Sequence, residues 1–297
     1  MSLSIKKCLG SFLLALLVFS GGIYVGMEVQ KRNVVKFPPS FDPHLKMSMG
    51  DFLKYCRQNS EQIYQDIWIN QKTMFQGVNL CENRYELIKP ILQDLKEFSV
   101  LDVGAAQGYF SFRIASDFPG AHCSMIEHAN KSYDHHARLL YQLCLLNNLP
   151  NVNYFHKEIS VPVLETLSDK VHFDVVLALL VVHQIDDDME IRKTAIRNLL
   201  QLGNHVILEV SNDVAPELRD YVRDQLSTND EFERFFLGEV PRYYNPTKAY
   251  GGKYSNGKGE FYYFKRKNPL PSIHEMPHEV FTNMTSVYPG DFEISSN

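Results

Sequence analysis

Cysteine is scarce in this chain, and its spacing argues against two common kinds of site. The sequence has 297 residues and five cysteines, with no C-x-x-C pair and no other spacing typical of metal ligands. An odd count also gives no support to a disulfide framework. We expect reduced, structural thiols at Cys8, Cys56, Cys81, Cys123 and Cys144.

A large excess of charge of either sign is absent as well. The net charge is −5 at pH 7, and apolar residues make up 44% of the chain. This composition excludes a disordered chain and a chain that coats nucleic acid through a broad basic surface. It leaves room for one sizeable α/β domain with extensions.

Residues 100–112 lack what two phosphate-binding motifs require. The segment reads as a buried strand, a glycine turn and a helix with apolar spacing. Ala106 and Tyr109 stand where a dinucleotide-binding Gly-x-Gly-x-x-Gly has its second and third glycines. No Gly-Lys-Ser/Thr follows, which excludes a P-loop. Gly104 and Gly108 let a ligand approach the backbone, and we expect the helix to present free N–H groups at its start.

An acidic residue downstream of this turn fits a nucleoside ligand. Residues 120–127 read as a second strand that ends in Glu127, about 20 residues beyond the turn, where a carboxylate can accept both ribose hydroxyls. Dinucleotide enzymes use the same device. Glu127 therefore predicts a nucleoside without identifying it.

The pattern Asp102-x-Gly104-x-x-x-Gly108, followed by Glu127, resembles motif I and the next strand of the class I S-adenosylmethionine-dependent methyltransferases. The resemblance implies that S-adenosyl-L-methionine is the cofactor and that its methionine part lies over the glycine loop. The residues that it assigns to cofactor binding are Asp102, Gly104, Ala105, Gly108, Tyr109, Glu127, His128, Glu158, Leu179 and Arg84.

Three of these assignments depend on elements predicted around the loop. Residues 49–97 are predicted to form a helical extension or lid, from which Arg84 reaches the cofactor carboxylate; an exposed arginine of the first helical turn is the alternative. Glu158 falls near the end of a third strand, at 151–159, where the family has an acidic or polar residue beside the adenine. Leu179 lies at the carboxyl end of a fourth strand, which in this family borders the transferable methyl group.

The order of the predicted elements gives the fold class. The βα alternation ends with a fifth strand at residues 205–210, residues 218–237 read as a charged amphipathic helix, and Asn256-Gly257 predicts a two-residue hairpin turn. We expect a doubly wound, mostly parallel seven-stranded α/β sheet with helices on both faces and a C-terminal antiparallel hairpin. The predicted domain covers residues 98–267, and 268–297 are an irregular tail.

His183, just beyond the fourth strand, is the catalytic candidate. A hydroxyl acceptor must lose a proton during methylation, and a histidine with a pKa near neutrality can take it. A histidine that only forms a hydrogen bond at the strand end is the alternative. Asp-Pro-Pro-Tyr and Asn-Pro-Pro-Tyr, which mark amino-directed nucleic-acid methyltransferases, are absent.

Three consecutive aspartates at residues 186–188 read as the start of the next helix, where acidic residues suit the helix dipole. A metal site that combines them with the acidic and histidine residues at 134–136 has no ligand spacing in its support. No metal is expected.

Basic residues are concentrated in residues 241–267, which hold seven of them against the single acid Glu260, interleaved with tyrosines. Such a segment can receive an anionic substrate, RNA or an anionic lipid headgroup. A solvated hairpin with core-facing tyrosines is the alternative. No motif here reads a base sequence, so a nucleic-acid acceptor has no specific support.

The first 27 residues carry a predicted membrane address. Lys6 and Lys7 precede an uncharged stretch at 8–27, which just reaches the roughly 20 residues that span a bilayer. A single-pass N-terminal anchor is preferred; export after signal cleavage before Gly21 and a buried helix are the alternatives. Basic residues lie on both flanks and leave the side of the membrane open. Residues 28–48, which contain consecutive prolines, are expected to be a linker.

The sequence thus predicts a membrane-associated methyltransferase that acts on a hydroxyl or amine of a small molecule, lipid or glycan. The alternative function is a non-catalytic S-adenosylmethionine-binding scaffold or sensor at a membrane. The acceptor and the oligomeric state stay open.

Overall fold

The computed structural model describes residues 47–127, 134–211, 215–225, 230–243, 257–273 and 293–294. The helices in these ranges are α1 (Met49–Gln58), α2 (Cys81–Leu92), α3 (Tyr109–Asp117), α4 (Asp134–Asn147), α5 (Val161–Ser168), α6 (Val182–Ile185), α7 (Met189–Leu202) and α8 (Pro216–Asp220). The strands are β1 (Ile67–Ile69), β2 (Lys72–Phe75), β3 (Phe98–Val103), β4 (Ala121–Glu127), β5 (Val152–His156), β6 (Phe173–Leu179), β7 (Gly203–Ser211), β8 (Phe232–Pro241), β9 (Lys258–Arg266) and β10 (Glu293–Ile294).

The main sheet has the order β10-β5-β4-β3-β6-β7-β9-β8. Strands β5, β4, β3, β6 and β7 are parallel, and β9 runs antiparallel between β7 and β8. The chain starts at the central β3, goes outward to β5, and returns to β6 beside β3. The connections that follow the adjacent central strands β3 and β6 therefore lead to opposite sides of the sheet. In such sheets, ligands bind at the carboxyl ends of the two strands where this reversal occurs. The predicted mostly parallel seven-stranded sheet with a C-terminal antiparallel hairpin is confirmed, and the two-residue strand β10 adds an eighth strand at its edge.

Both faces of the sheet are covered by helices. On one face, α5, α7 and α8 pack on the strands through a core that includes Leu167, Val176, Leu199 and Leu218. All six residues of β3 are buried, as expected for a strand that is covered on both sides.

The prediction of one helix over residues 218–237 is wrong in its second half. The helical part ends in a π-helical turn at Tyr221–Gln225, and Phe232 begins β8. This segment is a strand because β8 pairs with β9 along its whole length, and pairing across the sheet overrides local amphipathicity.

The predicted C-terminal antiparallel hairpin is present, and its strands are β8 and β9. Pro241 ends β8 and Lys258 begins β9, so residues 242–257 connect them. The backbone N–H of Arg242 donates to the carbonyl of Gly257 at 3.1 Å, which closes the base of this connection. Asn256 lies outside the described residues.

The extension at residues 49–97 is not purely helical, because a hairpin separates α1 from α2. Strands β1 and β2 are antiparallel, and backbone hydrogen bonds from Val78 to Ile63 and from Asn79 to Tyr64 continue the pairing. We call residues 63–79 the arm. Helix α2 then leads toward β3, as the sequence predicted.

The described residues of the tail contact the sheet. The N–H of Ile273 donates to His172 O at 2.8 Å, and Asn204 exchanges two hydrogen bonds with the backbone of Leu270. These contacts lie at the amino ends of β6 and β7. Further on, β10 adds an antiparallel strand to β5.

Within the described part of the chain, no helix is long and apolar enough to cross a membrane. The predicted anchor at residues 8–27 lies outside that part.

Candidate functional site

The glycine loop joins the carboxyl end of β3 to the start of α3. Gly104 has φ +75° and Gly108 has φ +72°, in the left-handed region that favours glycine. A Cβ at Gly104 would lie 2.5 Å from Val181 Cγ2, and one at Gly108 would lie 2.7 Å from Leu140 Cδ1. Both glycines are therefore required by the backbone conformation and by close packing. Ala106, the residue that breaks the dinucleotide pattern, also has a positive φ of 50°.

Asp102 connects the strand before the glycine loop to the helix after it. Its carboxylate is buried in β3 and accepts a hydrogen bond from Ser111 Oγ of α3 at 2.7 Å. Burial raises the pKa of Asp102 to about 6, although the Ser111 hydrogen bond acts in the opposite direction. Asp102 thus joins the strand to the helix that follows the loop.

Glu127 lies beside the loop at the end of β4. Its Oε2 accepts a hydrogen bond from the backbone N–H of Ala106 at 2.7 Å. The two elements that the sequence associated through a nucleoside ligand are thus in direct contact. His128 lies outside the described residues.

The backbone N–H groups of the loop are all satisfied within the protein. Those of Gly104 and Ala105 donate to Ile126 O, and that of Gly108 donates to Ala105 O. Ala106 bonds Glu127, and the N–H groups of Gln107 and Tyr109 donate to the side-chain oxygen of Gln65. The expectation that α3 presents free N–H groups at its start is therefore wrong for Tyr109, the first residue of α3, because the arm supplies Gln65 as an acceptor for its N–H.

Gln65 is a residue that the sequence did not single out. It lies in the arm, 42 positions before Gln107, and no local pattern marks it. Only the folded structure shows that the arm packs on the glycine loop. Trp68 of the arm adds contacts to α3, with its ring in an edge arrangement to Tyr109 and its Nε1 donating to Ser116 Oγ at 3.4 Å.

Arg84 forms a buried ion pair with Glu209 of β7. Its Nη2 lies 2.8 Å from Glu209 Oε1, its Nε bonds both carboxylate oxygens, and its Nη1 donates to Leu80 O. The two side chains are 0% and 1% exposed. Arg84 lies in the first turn of α2 but is buried, so the alternative of an exposed arginine is wrong. Its role toward a cofactor carboxylate stays a prediction. The proximity of the Glu209 carboxylate contributes to raising the pKa of Arg84, against the opposing effect of burial.

Glu209 is a second site residue that the sequence did not identify. A Cβ at Gly259 of β9 would lie 1.8 Å from Glu209 Oε1, so the carboxylate occupies the space that this glycine leaves. Tyr64 of the arm lies close to this ion pair. Burial raises the pKa of Tyr64, and the charges of Arg84, Glu209 and Arg242 also act on it. Tyr64 also stacks on His136 of α4, with 5.9 Å between ring centroids.

The carboxyl end of β6 lies next to this ion pair. Leu179 ends the strand, and the N–H of Leu180, at φ +56°, donates to Glu209 O at 3.1 Å. His183 follows in the short helix α6, and its carbonyl accepts a hydrogen bond from Arg192 Nη2 at 2.9 Å. Glu158 follows the end of β5. Since the glycine loop, Glu127, Glu158 and Leu179 all follow or end parallel neighbours, the structure brings them to one edge of the sheet.

In the described part of the basic segment at residues 241–267, basic side chains lie at both ends of β9. Lys258 pairs with Glu239 at 2.7 Å at one end of β9, and Arg266 pairs with Glu231 at 3.2 Å at the other. The nine residues of β9 place these cations about 26 Å apart. Arg242, buried beside Tyr243, lies at the same end of the hairpin as Gly259. Residues 244–256 lie outside the described part.

The aspartates at residues 186–188 have a structural role at the start of α7. Asp188 is the N-cap, and its carboxylate accepts hydrogen bonds from the N–H groups of Glu190 and Ile191. In the described residues, no group of three or more His, Cys, Asp or Glu side chains is arranged to hold a metal ion. Of the cysteines, Cys56, Cys81, Cys123 and Cys144 are free thiols.

Known structures share this architecture. The chain is similar to the bifunctional kinase-methyltransferase WbdD at 19% sequence identity and a TM-score of 0.54, over 74% of this chain and 47% of that one. A structure of monomeric WbdD matches at 18% identity and a TM-score of 0.52, over 73% of this chain and 49% of that one. The chain thus spans about half the length of the WbdD chains that it matches. No protein-family model and no curated protein sequence matches it.

At this level of identity the similarity concerns the fold. The sheet order, the glycine loop after the central strand and the antiparallel β8–β9 hairpin agree with it. The chain has the fold of the class I S-adenosylmethionine-dependent methyltransferases, as the sequence predicted.

Proposed function

We propose that this protein binds S-adenosylmethionine at the glycine loop and transfers its methyl group to a hydroxyl or amine of an acceptor bound at the carboxyl ends of β6 and β7. The observation that carries the proposal is the loop itself. Two left-handed glycines follow the central strand, and the Glu127 carboxylate lies against the loop backbone. This arrangement is suited to a nucleoside with an extended substituent.

The residues present fit such a cofactor. Glu127 can accept hydrogen bonds from ribose hydroxyls, and the absence of side chains at Gly104 and Gly108 allows close approach to the backbone. The side-chain nitrogen of Gln107 is buried and has no hydrogen-bond partner in the described structure, which leaves a donor for a ligand. When bound, the cofactor supplies a methyl group on a sulfonium, which is already activated for transfer.

The protein's own contribution is then alignment and exclusion of water. Leu180 and Val181 are buried at the end of β6, and they would form a dry, apolar wall beside the reacting centre. His183 is the candidate to take the proton of a hydroxyl acceptor, because it follows this wall directly. An amine acceptor that reaches the site uncharged needs no such base before transfer.

Isothermal titration of the full chain tests the cofactor. We expect binding of S-adenosylmethionine and no binding of NAD, and an absence of measurable affinity for S-adenosylmethionine would refute the proposal. Incubation with methyl-labelled cofactor and fractionated lipids, glycans, RNA and metabolites then shows where the label goes. Binding without transfer to any fraction would favour the scaffold or sensor function.

A pair of matched histidine variants tests the base. His183→Ala should lower turnover on a hydroxyl acceptor by about 100-fold or more. His172→Ala, which changes a half-buried histidine at the amino end of β6, should leave turnover unchanged. Equal turnover of both variants and the unmodified protein would remove His183 as the base.

The membrane attachment rests on the sequence of residues 8–27. We propose that these residues anchor the enzyme near lipid or glycan acceptors. A topology reporter fused after residue 30 tests this: release of the reporter in soluble form would refute the anchor and favour signal cleavage.

A further inference from the structure

Gln65 of the arm and Gln107 of the glycine loop exchange reciprocal hydrogen bonds. The backbone N–H of Gln65 donates to Gln107 Oε1 at 2.8 Å, and the backbone N–H of Gln107 donates to Gln65 Oε1 at 3.2 Å. Gln65 Oε1 also accepts from the N–H of Tyr109 at 3.1 Å. Both glutamines are buried. The arm and the loop are therefore joined by three hydrogen bonds through two side-chain amides.

These bonds fix the orientation of the Gln107 amide. A backbone N–H can only donate, so the side-chain atom that faces Gln65 N must be the oxygen of Gln107. The Gln107 nitrogen consequently points away from Gln65. It is buried and has no hydrogen-bond partner in the described residues.

The side-chain nitrogen of Gln107 is a donor of the glycine loop that is still available to a ligand. Every backbone N–H from Gly104 to Tyr109 already has an acceptor within the protein. Arg84, the other donor considered for a carboxylate, uses its guanidinium on Glu209 and Leu80 O. Buried donors in native proteins are rarely left unpaired, so an acceptor from outside the described chain is the expected partner.

We propose that the Gln107 side-chain nitrogen donates to the carboxylate of the amino-acid part of S-adenosylmethionine, and that Gln65 is the positioning residue that holds this amide in place. The inference rests on the proposed function. A carboxylate is an acceptor only, which matches an amide nitrogen, whereas the ribose hydroxyls can donate to Glu127.

Two ligands that differ in the amino-acid part test the proposal. S-adenosylhomocysteine carries the carboxylate, and 5′-methylthioadenosine has the same adenosine and thioether without it. We would titrate both into the full chain at pH 8. Gln107→Leu removes the donor. Gln107→Glu removes it too, because a carboxylate oxygen takes the place of the nitrogen, but this variant keeps an acceptor for the N–H of Gln65.

We expect Gln107→Leu to lower the affinity for S-adenosylhomocysteine by about 10-fold and Gln107→Glu by about 30-fold or more, as for lost hydrogen bonds to charged groups. Affinity for 5′-methylthioadenosine should change by less than about threefold, which also shows that the variants are folded. Gln65→Leu should give a smaller loss, again confined to S-adenosylhomocysteine. Gln58→Glu, on the exposed surface of α1, is the control for added charge and should change neither affinity.

The outcomes separate this inference from the proposed function. Equal losses for both ligands, or no loss for either, would overturn the role of Gln107 while leaving cofactor binding intact. If the unmodified protein bound neither ligand, both the inference and the proposed function would fall.

Discussion

Loss of one partner of the buried ion pair between Arg84 and Glu209 should destabilise the protein strongly. The pair joins α2 to β7 across 125 residues of sequence, and both side chains are almost fully excluded from solvent. Removing one partner leaves the other charge buried without compensation, which costs about 3–5 kcal/mol. We therefore expect Glu209→Gln and Arg84→Met each to lower the free energy of unfolding by that amount.

The double variant should behave differently. With both charges removed, no uncompensated buried charge remains beside Gly259. We expect the Arg84→Met/Glu209→Gln protein to be more stable than the sum of the two single effects predicts, by about 2 kcal/mol or more. Urea unfolding measures these free energies. For a domain of this size, each single variant should also lower Tm by roughly 6–20 °C.

A surface ion pair of nearly equal length provides the control. Lys258 and Glu239 lie 2.7 Å apart, but their side chains are 51% and 40% exposed. Lys258→Met should cost far less stability than Glu209→Gln, because water screens the pair and solvates the partner that remains. If Glu209→Gln cost no more than Lys258→Met, or if the single effects of Arg84 and Glu209 were additive, the argument from burial would be refuted.

Two further predictions concern the glycine loop. The pKa of Asp102 is about 6 in the folded protein and about 3.9 in the unfolded chain, so between these values the folded state binds more protons. The free energy of unfolding should therefore fall as pH rises from about 4 to 6, by roughly 3 kcal/mol. Asp102→Asn should lack this part of the pH dependence when urea unfolding is measured across the range, and parallel profiles for the two proteins would contradict the shift. Gly104→Ala should cost about 2–4 kcal/mol from its positive φ and its overlap with Val181. In a Val181→Gly background, which removes both the Cγ2 at 2.5 Å and the Cβ at 2.8 Å, only the backbone part of this cost, about 1–2 kcal/mol, should remain. An unchanged cost in that background would show that Val181 is not the obstacle.

The central strand, glycine loop and following helix were predictable because their signals are local. The apolar run of β3 and the glycine spacing of the loop are properties of adjacent residues. Asp188 was predictable as part of a helix start for the same reason, since N-caps act within one turn. The strand β8 was not predictable, because its residues are held by β9, and a charged segment with helical spacing becomes a strand when a neighbour supplies its hydrogen bonds.

Gln65 and Glu209 were missed for a related reason. Each acts through a partner distant in sequence, Gln107 in one case and Arg84 in the other. Their residue types are common and carry no spacing of their own. A single sequence contains no information that pairs an amide with another amide across the arm and the loop.

The hydrogen-bond accounting of the loop explains why the motif predicts the fold better than the ligand contacts. Residues 104–109 have the backbone that the motif encodes, yet their N–H groups are used to hold β4, the arm and the loop itself together. Ligand recognition must then come from side chains such as Gln107 and Glu127, whose orientation is set by tertiary contacts. The same glycine spacing can therefore occur with different side-chain donors, and the chemistry of the site has to be established from the residues that surround the loop.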